Sequence, residues 1–312
     1  MTKTGSLPLQ AVLNSVLSSS ELSRHPTSVV LSRRHEVATW QSGELPGVGA
    51  VDEHTVMYVA SVTKQLVAAL AAMAVDAGVM GYHEPVTSYL GPLPGWLDRV
   101  RVRHLLHHTS GLPELTDPWA DDLDNPGVLD RLRSCPGPDA PAGTRFSYSN
   151  TGYVLLAAAV EAALQQPIQA LARSRVFTPL GMTDSRLGGP APVRLDGRRD
   201  VPRTVGDGGW WASAADLHRW LVALNRGWLG AALTRALETP GRLDDGTPLD
   251  YAWGMRVSQV GGRRTLTHGG TWPGWLAKTV RQPERGIAVC VLSTAPDETL
   301  VSETALQLAG LA

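Results

Sequence analysis

The chain has 312 residues, 43% of them hydrophobic and 18% charged, with a formal net charge of −1. That length makes one large or two moderate domains with room for a sizeable core. The scattered, nearly balanced charge argues against nucleic acid or an anionic membrane as partner, and no run of 18 apolar residues could span a bilayer.

Leu9, Val12, Leu13, Val16 and Leu17 recur at helical spacing with polar residues between them, which predicts an amphipathic helix rather than a secretory signal. Cys135, in a Pro/Gly loop, and Cys290, inside the apolar run Ile287 to Leu292, fit a reducing compartment. A cytoplasmic location is therefore expected. Thr27 to Leu31 and Glu36 to Trp40 flank the polar turn Ser32-Arg33-Arg34-His35 and predict a hairpin.

Ser61-Val62-Thr63-Lys64 comes next. Only three lysines occur, Lys3, Lys64 and Lys278, against 25 arginines. A position that keeps lysine can do what arginine cannot, which is release its proton near neutral pH. Gln65 to Ala77 is rich in helix formers, apolar on nearly every face, and ends at Gly78. It predicts a buried helix. Ser61 and Lys64, three apart on its first turn, are neighbours, and the free N–H groups of that turn can hold an oxyanion.

From Met80 to Asp207 helical patterns alternate with loops such as Asp121 to Gly127 and Cys135 to Gly143. Within this stretch Tyr148-Ser149-Asn150 precedes the helix-like run Thr151 to Leu164. Residues two apart in an extended turn project to one side, so a phenol and an amide can face one cavity; the plainer reading is that Asn150 caps the helix. Tyr251 to Val257, Arg264 to Thr267, Ala277 to Val280 and Ile287 to Leu292 are expected strands joined by short turns, and a helix from Asp297 to Leu308 closes the chain. Thr267-His268-Gly269-Gly270-Thr271 follows one of these strands, with two glycines that permit close approach. The expected fold class is α+β: an antiparallel sheet built from residues 1–79 and 208–312 and flanked by helices, with residues 80–207 as a mostly helical insertion.

Ser-x-x-Lys opening a buried helix, Tyr-x-Asn downstream and His-x-Gly on a late strand together resemble the serine β-lactamase and penicillin-recognising family. The branch is that of class C β-lactamases, D-stereospecific peptidases and related esterases. Arg103-His104-Leu105-Leu106-His107-His108-Thr109-Ser110-Gly111-Leu112-Pro113, Phe177 to Met182 and Gly208 to Asp216 resemble stretches that recur there. The resemblance implies a β-lactamase/transpeptidase-like fold in which Ser61 attacks an acyl carbon and Lys64 and Tyr148 take its proton as a coupled pair. Asn150 would bind Lys64 and substrate, and the backbone N–H groups of Ser61 and Thr271, beside Gly270, would hold the oxyanion. Where many relatives carry Lys-Thr-Gly, this chain has His268-Gly269-Gly270. A fixed charge and a hydroxyl are lost, and His268 is expected to bind substrate with a conditional charge. Trp210, Trp211, Trp272 and Trp275, four of ten tryptophans, are pocket candidates for an apolar acyl group.

An intracellular esterase acting on a small acyl ester or amide is the expected activity, with no cofactor and no metal. An acyltransferase, a D-aminopeptidase, a DD-peptidase or a β-lactamase are alternatives. A non-catalytic sensor is the rival from another class, disfavoured because binding alone would not need Ser61, Lys64, Tyr148 and Asn150 together. His104, His107 and His108 lack the acidic residue of a His-Glu-x-x-His zinc helix, and Gly-x-Ser-x-Gly is absent around Ser61 and Ser110.

Overall fold

A computed structural model describes residues 8–116, 123–195 and 200–312. Lys3 and part of the expected Asp121 to Gly127 loop lie outside the described residues. The main sheet is six-stranded. Its strands are β1 (Thr27–Arg33), β2 (Glu36–Ser42), β3 (Arg256–Val260), β4 (Arg263–Trp272), β5 (Trp275–Gln282) and β6 (Ile287–Ser293). They lie in the order β2-β1-β6-β5-β4-β3, every neighbouring pair antiparallel. The alternation of each strand separates two faces. Leu276, Val280, Val289 and Val291 pack with helices α1 (Leu9–Leu17) and α5 (Glu298–Leu311), while Ala277, Ala288, Cys290 and Leu292 join the larger core on the other side. Cys135 and Cys290 are both free thiols.

That larger core is centred on α2 (Thr63–Asp76), whose residues are buried on almost every face, as an apolar helix without a polar stripe must be. It stops at Gly78, which takes the left-handed φ of 70°. Helix α3 (Asn150–Leu164) packs against it from the 80–207 region, and α4 (Ala214–Asn225) packs on the sheet, its Trp220 indole donating to Gln65 Oε1 of α2.

Two expected strands change. Tyr251 makes only an isolated bridge to Arg256, so the strand starts at Arg256 instead of Tyr251. Strand β4 does not end at Thr267 but runs through both glycines to Trp272. Glycine weakens a strand on its own, but here packing overrides it. A Cβ on Gly270 would sit 2.1 Å from the Val59 carbonyl oxygen, so only glycine lets β4 press against the chain entering α2.

Candidate active site

Met57–Tyr58 forms a short strand paired with Trp210–Ala212, and from it the chain turns through Ala60, at a left-handed φ of 45°. A 3-10 turn, Ala60–Val62, then leads into α2. Ser61 therefore sits one tight turn ahead of the α-helix proper, with Lys64 fully buried behind it.

Lys64 Nζ lies 3.1 Å from Ser61 Oγ, 2.9 Å from Asn150 Oδ1 and 2.8 Å from the Asp207 carbonyl oxygen. Two of these neighbours, an amide oxygen and a backbone carbonyl, can only accept. They claim two of the amine hydrogens in either protonation state. The third direction meets a hydroxyl, which can accept from an ammonium or donate to the lone pair of a free amine. The geometry thus permits a proton to pass between Ser61 and Lys64 without rearrangement.

Tyr148 stands on the other side of this amine, its ring centroid 4.9 Å from Lys64 Nζ. The ring is 42% exposed. Its segment is clasped by His108: Ser147 N–H donates to the His108 carbonyl at 2.8 Å, Ser149 N–H donates to His108 Nδ1 at 3.0 Å, and the two ring centroids lie 4.3 Å apart with their planes inclined by 34°. Burial, and Lys64 nearby, hold His108 well below the usual histidine range, so it is the neutral acceptor this clasp requires. Ser149, not Asn150, caps α3, accepting from Gly152 N–H. Asn150 is thereby freed to point its side chain at Lys64. The Glu114 carboxylate accepts from the Asn150 and Thr151 amides and the Thr151 hydroxyl, completing the cap.

The free edge of β4 forms the opposite wall. Strand β3 pairs only with Arg263 to Thr267, leaving 268–272 without a pairing strand on that side among the described residues. The hairpin to β5 has a two-residue turn between Trp272 and Trp275. Its flanking pair exchanges both ladder bonds, so Thr271 and Gly269 turn their N–H and C=O groups toward the open edge. Thr271 N–H is thus presented on the same side as the start of α2, where the ideal Cβ of Gly270 would lie 3.3 Å from Ser61 N. Two backbone donors can converge on one oxygen there.

Ser61 and Thr271 line two adjoining cavities. One, of about 570 Å³ and open to solvent, is also lined by Tyr58, Asn150, Thr204, Asp207 and Trp272. The other, about 860 Å³, is lined by Tyr148, Tyr251, Arg256, His268, Lys278 and Glu298. A tetrahedral carbon on Ser61 Oγ would carry one substituent into each.

His268 corrects its expected role. Its Nδ1 lies 2.6 Å from the Gly269 carbonyl oxygen, which can only accept, so this nitrogen carries the hydrogen; Nε2 then accepts from the Tyr251 hydroxyl at 2.9 Å. Both ring nitrogens are used inside the protein, and burial, reinforced by Lys64, pushes the imidazole down to about 3. It is neutral at physiological pH and offers no charge to a substrate. The tryptophans are corrected too. Trp272 lines the Ser61 cavity, whereas Trp210 packs against Phe177 and Trp220, and Trp211 between Tyr58 and Trp275. These three prop the strand that delivers Ser61.

Sequence reasoning passed over His108, Glu114, Tyr251 and Asp207. His108 lies inside the quoted His-His-Thr-Ser-Gly stretch and Asp207 immediately precedes the quoted Gly208, but their roles depend on contacts across 41 and 143 residues. No group of three metal-ligand side chains occurs among the described residues. His107 instead bonds Tyr82 and the Tyr251 carbonyl.

An antiparallel sheet whose free edge faces a Ser-x-x-Lys helix across a Tyr-x-Asn turn defines a serine β-lactamase/penicillin-binding-protein-like structure. A family model described as Beta-lactamase matches residues 25–312, and the chain belongs to that family. It is 27% identical over 288 residues to penicillin-binding protein 4* of Bacillus subtilis, covering 80% of this chain and 63% of that protein. It is 26% identical over 302 residues to D-aminopeptidase of Brucella ovis, covering 85% and 55%. The chain thus spans about three-fifths of the length of these relatives. Among solved structures, a β-lactamase/D-alanine carboxypeptidase from Yersinia pestis superimposes with a TM-score of 0.83 at 20% identity, over 97% of this chain and 98% of that one. A D-amino acid amidase from Ochrobactrum anthropi gives 0.78 at 21%, over 97% of each.

Proposed function

We propose that the protein is a serine amidohydrolase working through an acyl-enzyme on Ser61, acting on amides or small peptides, with activated esters as easier substrates of the same site. The observation that carries this reading is the set of neighbours around Lys64 Nζ, two acceptors and the Ser61 hydroxyl. Amides are favoured over the esters expected from sequence because the named relatives are a D-aminopeptidase and a penicillin-binding protein, and a structural neighbour is a D-amino acid amidase.

Ser61 Oγ bonds to the carbonyl carbon as its proton passes to Lys64 and Tyr148, which act as a coupled pair. Negative charge gathers on the carbonyl oxygen between the Ser61 and Thr271 N–H groups. Tyr148 lines the second cavity, so that cavity takes the leaving group, and the proton is delivered to the leaving nitrogen as the C–N bond breaks. Water then attacks the Ser61 ester, its proton returning to Ser61 Oγ as the acid departs. The Asn150 side receives the acyl group.

Intact-protein mass spectrometry tests this directly. Wild type exposed to a fluorophosphonate and to p-nitrophenyl esters is expected to gain one adduct, and Ser61→Ala none. Ester turnover retained in full by folded Ser61→Ala would overturn the proposal.

A further inference from the structure

Gln65 follows Lys64 directly and stands one helical turn on from Ser61, yet it is buried and lines neither cavity. Its amide reaches across to the sheet, through bonds whose sense is fixed. The Trp220 indole of α4 can only donate, so at 3.2 Å it makes Gln65 Oε1 the acceptor and leaves Nε2 facing β5. Nε2 donates to the Thr279 hydroxyl at 2.9 Å. The hydroxyl in turn donates its own hydrogen to the His268 carbonyl oxygen of β4 at 3.2 Å, where the run ends on a group that only accepts. Trp220, Gln65, Thr279 and His268 are all buried. Water cannot replace a link there, and cutting one strands its partner.

The run joins the helix that carries Lys64 to the strand that carries Thr271. Thr279 and His268 are cross-strand partners, and Gly270 lies two residues further along β4. At Gly270 the backbone of β4 already presses on the Val59 carbonyl, which sets the least distance between the strand and the start of α2. Such a contact limits approach but not retreat, and 268–272 has no pairing strand on its outer side among the described residues to hold it in place. The hydrogen-bonded run supplies the opposing limit. We propose that Gln65 and Thr279 are positioning residues of the oxyanion site: they hold β4 at its working distance from α2, so that the Ser61 and Thr271 N–H groups converge on one oxygen. The inference rests on the acyl-enzyme reading above. Neither residue touches substrate; each acts through the strand. The oxyanion forms both when the Ser61 ester is made and when it is hydrolysed, so a loosened strand lowers kcat whichever step limits turnover, while ground-state contacts in the two cavities change little.

The test turns on one hydroxyl. Thr279→Val removes it with little change of shape, and Thr279→Ser keeps it. With p-nitrophenyl acetate, Thr279→Val is expected to lower kcat at least about tenfold with KM moved less than about threefold, while Thr279→Ser stays within about threefold of wild type in both. Gln65→Leu should fall as far as Thr279→Val, and the double variant no further than the worse single one, since both cut the same run. Benzeneboronic acid, whose tetrahedral adduct on Ser61 sets an oxygen between the same two N–H groups, should lose affinity in Thr279→Val by about the factor lost from kcat/KM. Wild-type kcat in folded Thr279→Val, equal losses in Thr279→Val and Thr279→Ser, or losses that multiply in the double variant would overturn the inference. Absence of any fluorophosphonate labelling of Ser61 in wild type would sink the acyl-enzyme reading itself; labelling of wild type that is not slowed in Thr279→Val would sink the positioning role alone.

Discussion

At Lys64 the choice of amine over guanidinium is a matter of proton exchange. Arginine would keep the charge but cannot be deprotonated in a protein, and its planar fork does not match three acceptors arranged around one nitrogen. Lys64→Arg is expected to lower the rate of Ser61 acylation by at least about 100-fold, with no recovery when the pH is raised to 10. Recovery at high pH would place the base on Tyr148 alone. Gly270 is constrained by space. The first atom a Cβ would meet there belongs to the backbone, the Val59 carbonyl oxygen at 2.1 Å, which cannot swing aside as a side chain would. Gly270→Ala must push β4 away from Ser61 and separate the two N–H donors. Loss of acylation by at least about 100-fold, with far-ultraviolet circular dichroism unchanged, is the expected result, and near-wild-type labelling would show that the oxyanion does not bind between these strands.

Helix α3 does two tasks with one cap. Ser149 satisfies its first turn while His108 and Glu114 hold the residues on either side, so the stability of the helix and the placing of Tyr148 and Asn150 are coupled. Ser149→Ala is expected to cost about 1 kcal/mol in urea unfolding and to lower kcat more than it raises KM. An equal loss of stability with unchanged kcat would mean that the turn is held by His108 and Glu114 alone. How much of this was legible varied with the range of the interactions. The helices at Leu9, Gln65 and Thr151, the opening hairpin and the late strands followed from local periodicity and turn residues, and Ser61, Lys64, Tyr148 and Asn150 from motifs with fixed internal spacing. His268 was visible as a residue, but its neutrality depends on Tyr251 and on burial, which no local pattern records. The tryptophans misled because an indole beside a site in sequence can face away from it, as Trp210 and Trp211 do. Asp207 had no motif of its own.

Across the whole molecule, burial keeps five histidines neutral: His104, His107 and His218 are pushed down to about 4, His268 to about 3, and His108 well below its ordinary value. In the unfolded chain each titrates near 6.5. The unfolded state therefore binds more protons below that pH, and native stability, complete above it, is lost as pH falls toward about 4. Each histidine contributes a slope of up to about 1.4 kcal/mol per pH unit. The buried carboxyls of Asp207 and Asp216, pushed up, act in the opposite sense but are fewer. Melting temperature is expected to drop steeply between pH 6.5 and 4.5 and to respond little to added salt, since the cause is desolvation and not exposed ion pairs; a flat profile over that interval would contradict it. The sheet has a consequence of another kind. Its second strand in spatial order, β1, is flanked by β2 and by β6, and the Thr27 and Ser293 hydroxyls meet at 2.7 Å across 266 residues of chain. During synthesis the opening hairpin leaves the ribosome long before its partner exists, and it must wait, unpaired along one edge, until β6, the last of the six strands in chain order, emerges. The closing of the sheet thus waits on the strand that emerges last of the six, and the site edge of β4 is delivered only shortly before it.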